Sequence, residues 1–401
     1  MLMSLLFYFK GADTMYSDQL DDITNGELGI IALESCRDLG KRINDHILKI
    51  RHYDLSTNSP NNGANGKSYL IPVNQIRFSN GEGKVQLEDS VRGKDIYILC
   101  DVGNYSCTYE MFGFENHMGP DEHFQDIKRV LSAIGGKAKR ITVIMPLLYA
   151  ARQHRRRGRE SLDCAIALQE LQRLGVSDIL TFDVHDPNIQ NAIPMISFEN
   201  IYPTYEIVKS FLKNEKQLSI DKTKMLVISP DTGAMDRAIY YSSMLGLDIG
   251  LFYKRRDHTR IVKGKNPIVQ HEYIGRNIEN QDILIVDDMI ASGESILDIV
   301  LELKKHNAKR IYVATTFSFF TEGIEKFNEF YEKGYINRVY STNLTYIPEQ
   351  VKDSKWFKEV DMAEFIAKII DKLNYDKSIS SLTDATEGIR ELLKQTRQEN
   401  I

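Results

Sequence analysis

Residues 283–295, Ile-Leu-Ile-Val-Asp-Asp-Met-Ile-Ala-Ser-Gly-Glu-Ser, restrict this chain more than any other stretch. The apolar run Ile283 to Val286 reads as an inner strand of a parallel sheet, and Ile296, Ile299, Val300 and Leu303 give the next segment helical periodicity. Between the two, Ser292, Gly293 and Ser295 turn N–H groups and hydroxyls toward the start of a helix, where an anion is favoured. Asp287 and Asp288 stand at the carboxyl end of the strand, where open α/β sheets bind ligands, and carboxylates accept hydrogen bonds from vicinal hydroxyls. One loop of this kind suits a phosphate and a ribose together. The acidic pair taken alone is equally compatible with an ordinary strand end and a capped helix.

At 401 residues the chain exceeds one average domain, so two domains of about 150 to 200 residues are expected. An apolar content of 42% with 27% charged residues is that of a globular protein. The formal net charge of −5 argues against a nucleic-acid partner, which requires a basic face. Cys36, Cys100, Cys107 and Cys164 form no CxxC pair and have no zinc-ligand spacing, which fits reduced thiols in a cytoplasm. The apolar opening, residues 1–10, lacks a basic flank and is too short to span a bilayer, and no membrane segment is expected elsewhere.

Short apolar runs alternate with helical stretches, the mark of repeated βα units. The runs are Gly29 to Leu33, Asp95 to Cys100, Arg140 to Met145, Asp178 to Phe182, Met225 to Ser229, Asp248 to Tyr253, Gln281 to Val286 and Arg310 to Thr315. Helices are expected at Arg37 to Arg51, Asp121 to Gly135, Leu162 to Leu174, Tyr202 to Asn214, Ala234 to Leu245 and Ser295 to His306. The fold class is therefore α/β. Ser56 to Gly66, made of turn-forming residues, reads as a surface insertion, and Asn104 to Pro120 as a second insertion of unassigned structure. The junction between domains falls near Asn191 to Pro203. The expected division is 1–25 (extension), 26–195, 196–375 and a tail, 376–401, forming one amphipathic helix with Ala385, Ile389, Leu392 and Leu393 on a common face.

The 283–295 string resembles the phosphoribosyl-diphosphate (PRPP) loop of phosphoribosyltransferases and PRPP synthetases. From about Gly29 to Asn374 the chain resembles the ribose-phosphate diphosphokinase (PRPP synthetase) family, which implies two tandem phosphoribosyltransferase-like domains. By that resemblance Asp287 and Asp288 take the ribose hydroxyls, and Ala291, Ser292, Gly293, Glu294 and Ser295 wrap the 5-phosphate. Ala291 and Glu294 depart from the family's usual Asp and Gly, and Glu294 is expected to face solvent, since a carboxylate turned inward would repel the phosphate.

Phe78-Ser-Asn-Gly-Glu82 resembles the family's Phe-Ser-Asp-Gly-Glu hairpin, which implies that Phe78, Asn80 and Glu82 read the adenine of ATP in a neighbouring subunit. Arg152 and Gln153 match its ATP-contacting Arg-Gln pair, with Arg155, Arg156, Arg157 and Arg159 following in a basic cluster suited to polyphosphate. His185 in Asp-Val-His and Asp231 in Ser-Pro-Asp-x-Gly match the family's metal-side residues, implying Mg²⁺. Lys254 and Arg256 match its Lys-x-Arg and are the implied catalytic pair, with Asp257 to Gln270 as a lid.

The implied reaction moves the β,γ-diphosphoryl group of Mg-ATP to the 1-hydroxyl of ribose 5-phosphate, giving PRPP and AMP. Its implied partners are ATP, ribose 5-phosphate and further copies of the chain, in dimers or in a hexamer built on dimers. Two alternatives stay open: a phosphoribosyltransferase, which explains only the 283–295 loop, and a catalytically silent regulatory subunit or PRPP sensor.

Overall fold

The structure, a computed structural model, describes residues 23–55, 68–156, 158–256 and 268–399. The Ser56 to Gly66 insertion, most of the 1–25 extension and Asp257 to Pro267 of the expected lid lie outside the described residues. Strand β1 (Leu28–Ala32) is followed by a hairpin of β2 (Val73–Arg77) and β3 (Gly83–Leu87), and then by β4 (Asp95–Leu99). A second hairpin, β5 (Thr108–Met111) and β6 (Phe114–His117), precedes β7 (Arg140–Ile144), β8 (Asp178–Phe182) and β9 (Ser197–Ile201). Strands β1, β4, β7, β8 and β9 bond in that order into an all-parallel sheet.

The chain crosses to a second sheet at Tyr202–Pro203, inside the stretch expected to hold the junction. That sheet contains β10 (Met225–Ser229), β11 (Asp248–Arg256), β12 (Ile268–Ile274), β13 (Asp282–Ile290), β14 (Ile311–Ser318), β15 (Arg338–Thr342) and β16 (Phe357–Val360). Its spatial order is β12-β11-β10-β13-β14-β15-β16, with only the β11–β12 pair antiparallel. β10 and β14 are buried at every position, as inner strands covered on both faces must be.

Alternate residues divide the apolar core into three layers. Leu28 and Ile30 of β1, Met225 and Val227 of β10 and Leu284 and Val286 of β13 enter one continuous core between the sheets. Their neighbours Ile31, Leu226, Ile228, Ile283 and Ile285 face outward into two separate clusters. The period of two along a strand produces this division directly. Helix Ala363–Asn374 packs along helix Arg37–Leu55, and Arg51 Nε donates to Asp371 at 2.8 Å. At a second seam, Asp101, just beyond β4, accepts from Tyr346 N at 2.9 Å and Thr345 Oγ1 at 3.0 Å.

Several expectations are corrected. β13 does not stop at Val286; it continues to Ile290, with Asp287 opposite Thr315 and Met289 opposite Phe317, because Met289 and Ile290 prolong its apolar pattern. The tail is two helical pieces, Ser380–Thr383 and Thr386–Glu399, since Asp384 caps the second by accepting from Thr386 N. Gly388 fits within the second piece for a packing reason: a Cβ there would lie 2.6 Å from the Tyr205 ring. The Asn104 to Pro120 insertion contains the β5–β6 hairpin, and β9, β12, β15 and β16 had no counterpart among the expected strands.

Candidate active site

Strand ends from both sheets open onto one cleft of about 330 Å³. The first sheet supplies Arg152 and His185; the second supplies Asp231, Arg237, Asp287, Asp288 and the loop to Ser295. The sequence-predicted residues His185, Asp231, Asp287, Asp288, Ala291, Ser292, Gly293 and Ser295 are thus brought together, with Arg152 at the rim.

Gly293 shapes the loop. Its φ is +89°, and a Cβ would stand 2.4 Å from the Phe327 ring, so the turn requires glycine. Gly293 offers no side chain to cap helix Glu294–Lys305, which begins there; Ser292 Oγ accepts from Glu294 N at 3.4 Å, and the helix N-terminus lines the cleft through Gly293, Ser295 and Ile296. Glu294 is exposed beside Lys326, 3.5 Å away, and faces solvent as expected.

The acidic pair is asymmetric. Asp288 Oδ2 lies 2.9 Å from His185 Nδ1. Burial works against the Asp288 carboxylate, but the His185 bond and the Arg237 charge outweigh it and hold the pKa below the ordinary carboxylate range. For Asp287, burial and the adjacent Asp288 charge act in the same direction, raising the pKa well above that range. Asp287 is consequently the more basic partner for a hydroxyl proton. Asp231 has its Oδ1 occupied by Gly233 N at 2.9 Å and Ala234 N at 3.2 Å, which fixes the carboxylate at the end of β10.

Arg237 was not anticipated. Its Nη2 donates to Asp183 at 2.6 Å and its Nε to both Asp183 oxygens at 3.0 Å, while Nη1 lies 4.0 Å from Asp287. Asp183 sits at the end of β8 with φ +45° and also accepts from Thr316 Oγ1 at 2.5 Å. A buried, two-pronged ion pair therefore joins the sheets beneath the acidic pair. The only sequence hint was Asp183 beside His185 in the Asp-Val-His strand end.

Residues 28–175 match the model of the N-terminal domain of ribose phosphate pyrophosphokinase, and residues 197–352 match the phosphoribosyl transferase domain. The ribose-phosphate pyrophosphokinase of Mycoplasma genitalium is 30% identical over 311 residues, spanning 76% of this chain and 83% of that protein. The chain belongs to the ribose-phosphate pyrophosphokinase family. The Mycoplasmopsis pulmonis member is 29% identical over 317 residues, covering 79% and 90% of the two chains. In fold, the chain is similar to the phosphoribosylpyrophosphate synthetase of Mycobacterium smegmatis, with a TM-score of 0.68 at 20% identity over 87% of this chain and 99% of that one.

Other residues implied by ribose-phosphate pyrophosphokinase membership are placed differently. Gln153, in the short helix Ala151–Gln153, is exposed and does not line the cleft. Phe78, Asn80 and Glu82 lie at the tip of the β2–β3 hairpin, where Asn80 Oδ1 accepts from Glu82 N at 3.1 Å, and they do not line it either. Lys254 and Arg256 close β11, with backbones opposite His271 and Ile268; their side chains lie outside the described residues. Among the described residues, no three His, Cys, Asp or Glu side chains converge closely enough to hold a metal by themselves. Asp231 offers the carboxylate oxygen that Mg²⁺ prefers beside waters and phosphates, whereas the His185 nitrogen is an unusual donor for it. The Asp288–His185 bond is also the arrangement that orients an imidazole toward a metal.

Proposed function

We propose that this chain transfers the β,γ-diphosphoryl group of ATP to the 1-hydroxyl of ribose 5-phosphate, forming PRPP and AMP. The observation that carries this reading is one cleft combining a helix N-terminus, an acidic pair and basic and imidazole groups from the opposite sheet. A 5-phosphate fits the Ala291 to Ser295 loop, and Asp287 and Asp288 accept from the ribose hydroxyls. Arg152 meets the ATP phosphates from the first sheet. His185 and Asp231 would hold Mg²⁺, which supplies charge neutralisation of the phosphates when bound.

The new bond forms between ribose O1 and the β-phosphorus, and the bridging oxygen leaves with AMP. Two anions must be brought together for this, so positioning and electrostatic stabilisation dominate. Lys254 and Arg256 are assigned to the equatorial oxygens of the transferred group. β11 runs parallel to β10, whose end carries Asp231, so both backbones belong to the same side of the sheet. Phe78, Asn80 and Glu82 are assigned to the adenine in a second copy, consistent with their absence from the chain's own cleft. Among the described residues no helix is long and apolar enough to cross a membrane.

The test is AMP release from ATP by the purified protein, with and without ribose 5-phosphate. Sugar-dependent release that falls by about 10²-fold or more in Lys254→Ala is the expected result. Tight PRPP binding with no turnover would instead establish a sensor.

A further inference from the structure

The turn that carries Arg152 is strained and tied down. It follows β7, and Ala150 at its start has φ +53°, in the left-handed region that an alanine disfavours. Gln153 N donates to Ala150 O at 2.7 Å, which closes the short helix Ala151–Gln153, and Arg152 Nη2 reaches Met289 Sδ in the second sheet. Strain of this kind persists only where the surroundings hold it, and such places gather at functional sites.

His154 ends the turn and anchors it. Gln153 and Arg155 on either side are exposed, yet only 10% of the His154 side chain is. Its Nδ1 lies 3.0 Å from Ala151 O, and its Nε2 lies 3.3 Å from Asp186 Oδ2. Both ring nitrogens thus face acceptors of the chain itself, and neither is left to meet a metal or a phosphate. A side chain occupied in this way acts through its neighbours.

Those neighbours belong to the candidate active site. Asp186 adjoins His185 beyond the end of β8 and caps the short helix Pro187–Ala192: its Oδ1 accepts from Asn188 N and Asn188 Nδ2, both at 3.0 Å, while Oδ2 is turned to His154. The cap fixes the carboxylate independently of the imidazole. The rings of His154 and His185 stand 5.4 Å apart, centre to centre, at an angle of 58°. One strand end therefore presents Arg152 and the next presents His185, with His154 and Asp186 as the link between them.

We infer that His154 is a positioning residue: through Asp186 it locks the Arg152 turn onto the strand end of His185, and so sets the spacing between the arginine that meets the ATP phosphates and the imidazole on the metal side. The consequence for ATP rests on the function proposed above; the link between the two strand ends does not. Misplacing a substrate-positioning group by about 1 Å can cost about 10²-fold in rate, so the link bears on turnover although His154 touches no substrate.

His154→Asn and His154→Gln together test it. The asparagine amide still spans to Ala151 O but falls short of Asp186, whereas the glutamine amide reaches Asp186. For His154→Asn, kcat/KM for ATP is expected to fall about 10-fold, the worth of one charge-assisted hydrogen bond, and for His154→Gln to stay within about 3-fold of wild type. The KM for ribose 5-phosphate, whose loop belongs to the second sheet, should change by less than about 2-fold in both. Equal losses in the two variants, no loss in either, or a parallel rise in the KM for ribose 5-phosphate overturns the positioning role. Asp186→Ser keeps a capping hydroxyl and removes the arm to His154. In the protein without ligand, the ring signals of His185 in ¹H–¹⁵N NMR spectra should move in this variant, and unmoved signals overturn the link. A wild-type protein that makes no AMP overturns the functional reading, while the spectra still decide the link.

Discussion

His185 Nδ1 and Asp288 Oδ2, 2.9 Å apart, join the end of a strand in one sheet to the middle of the cleft in the other. The hydrogen bond to Asp288 raises the His185 pKa, and the same bond helps to hold Asp288 ionised. Asp288→Asn keeps the shape and removes the charge that orients the ring. Removing an orienting carboxylate behind a metal-side histidine typically costs 10- to 100-fold in metal affinity or activity. We expect the Mg²⁺ concentration for half-maximal AMP release to rise by about 10-fold or more, with Mn²⁺ binding measured by EPR weakened in parallel. An unchanged metal requirement would remove the pair from this role.

Among the described residues, Arg237 is the one cationic partner of the buried Asp183. Arg237→Met leaves that carboxylate in the interior with Thr316 as a remaining donor. Breaking a buried pair from one side costs about 3–5 kcal/mol. Urea unfolding should show a loss of that order, and Asp183→Asn/Arg237→Met should lose less than the sum of the two single variants. Additive losses would mean that the two side chains act independently.

Gly293→Ala places a methyl group against Phe327 in a backbone region that disfavours it. The loop shifts, and the helix N-terminus behind it no longer faces the phosphate in the same way. The KM for ribose 5-phosphate should rise by about 10-fold, the cost of roughly one charge-assisted hydrogen bond. Shortening the neighbour in Gly293→Ala/Phe327→Leu should recover part of the affinity. An unaltered KM in the single variant would show that the loop does not bind the sugar phosphate.

Asp101 gives the stability of the seam between the sheets a pH dependence. Burial raises its pKa to about 7, outweighing the hydrogen bonds from Gly103, Tyr346 and Thr345. Because the folded pKa lies above the unfolded one of about 3.9, its contribution is fully present below about pH 4 and is lost as pH rises through about 7. Thermal melts should show this fall between about pH 4 and 7 in the wild type and a flatter profile in Asp101→Asn. Identical profiles would mean that Asp101 does not titrate in this range.

Asp287, Asp288 and the loop to Ser295 are legible in the sequence because strand, turn and helix signals follow one another within a short segment. The six expected helices are present for the same reason: each carries its own 3.6-residue period between recognisable strands. Arg237 with Asp183 is not legible, since nothing local tells a helix arginine which carboxylate, 54 residues away, will share its burial. β9 reads Ser-Phe-Glu-Asn-Ile, too polar to resemble an inner strand because it lies at an edge. Helix Ala363–Asn374 has a clear apolar face, but it follows β15 and β16, so the expected alternation had ended before it. The β5–β6 hairpin was hidden by Phe112, where an Asn would have announced the turn.

The apolar layer between the sheets takes side chains from both, from helices Arg37–Leu55 and Ala363–Asn374, and from Ile389 in the tail. Domains that meet through a thin polar contact can rotate about it; a seam filled in this way resists rotation, because opening it would wet a shared interior. Substrate-driven rearrangement should therefore be sought in surface loops and in the docking of neighbouring copies, and the spacing between Arg152 and the acidic pair should be nearly the same with and without ligand.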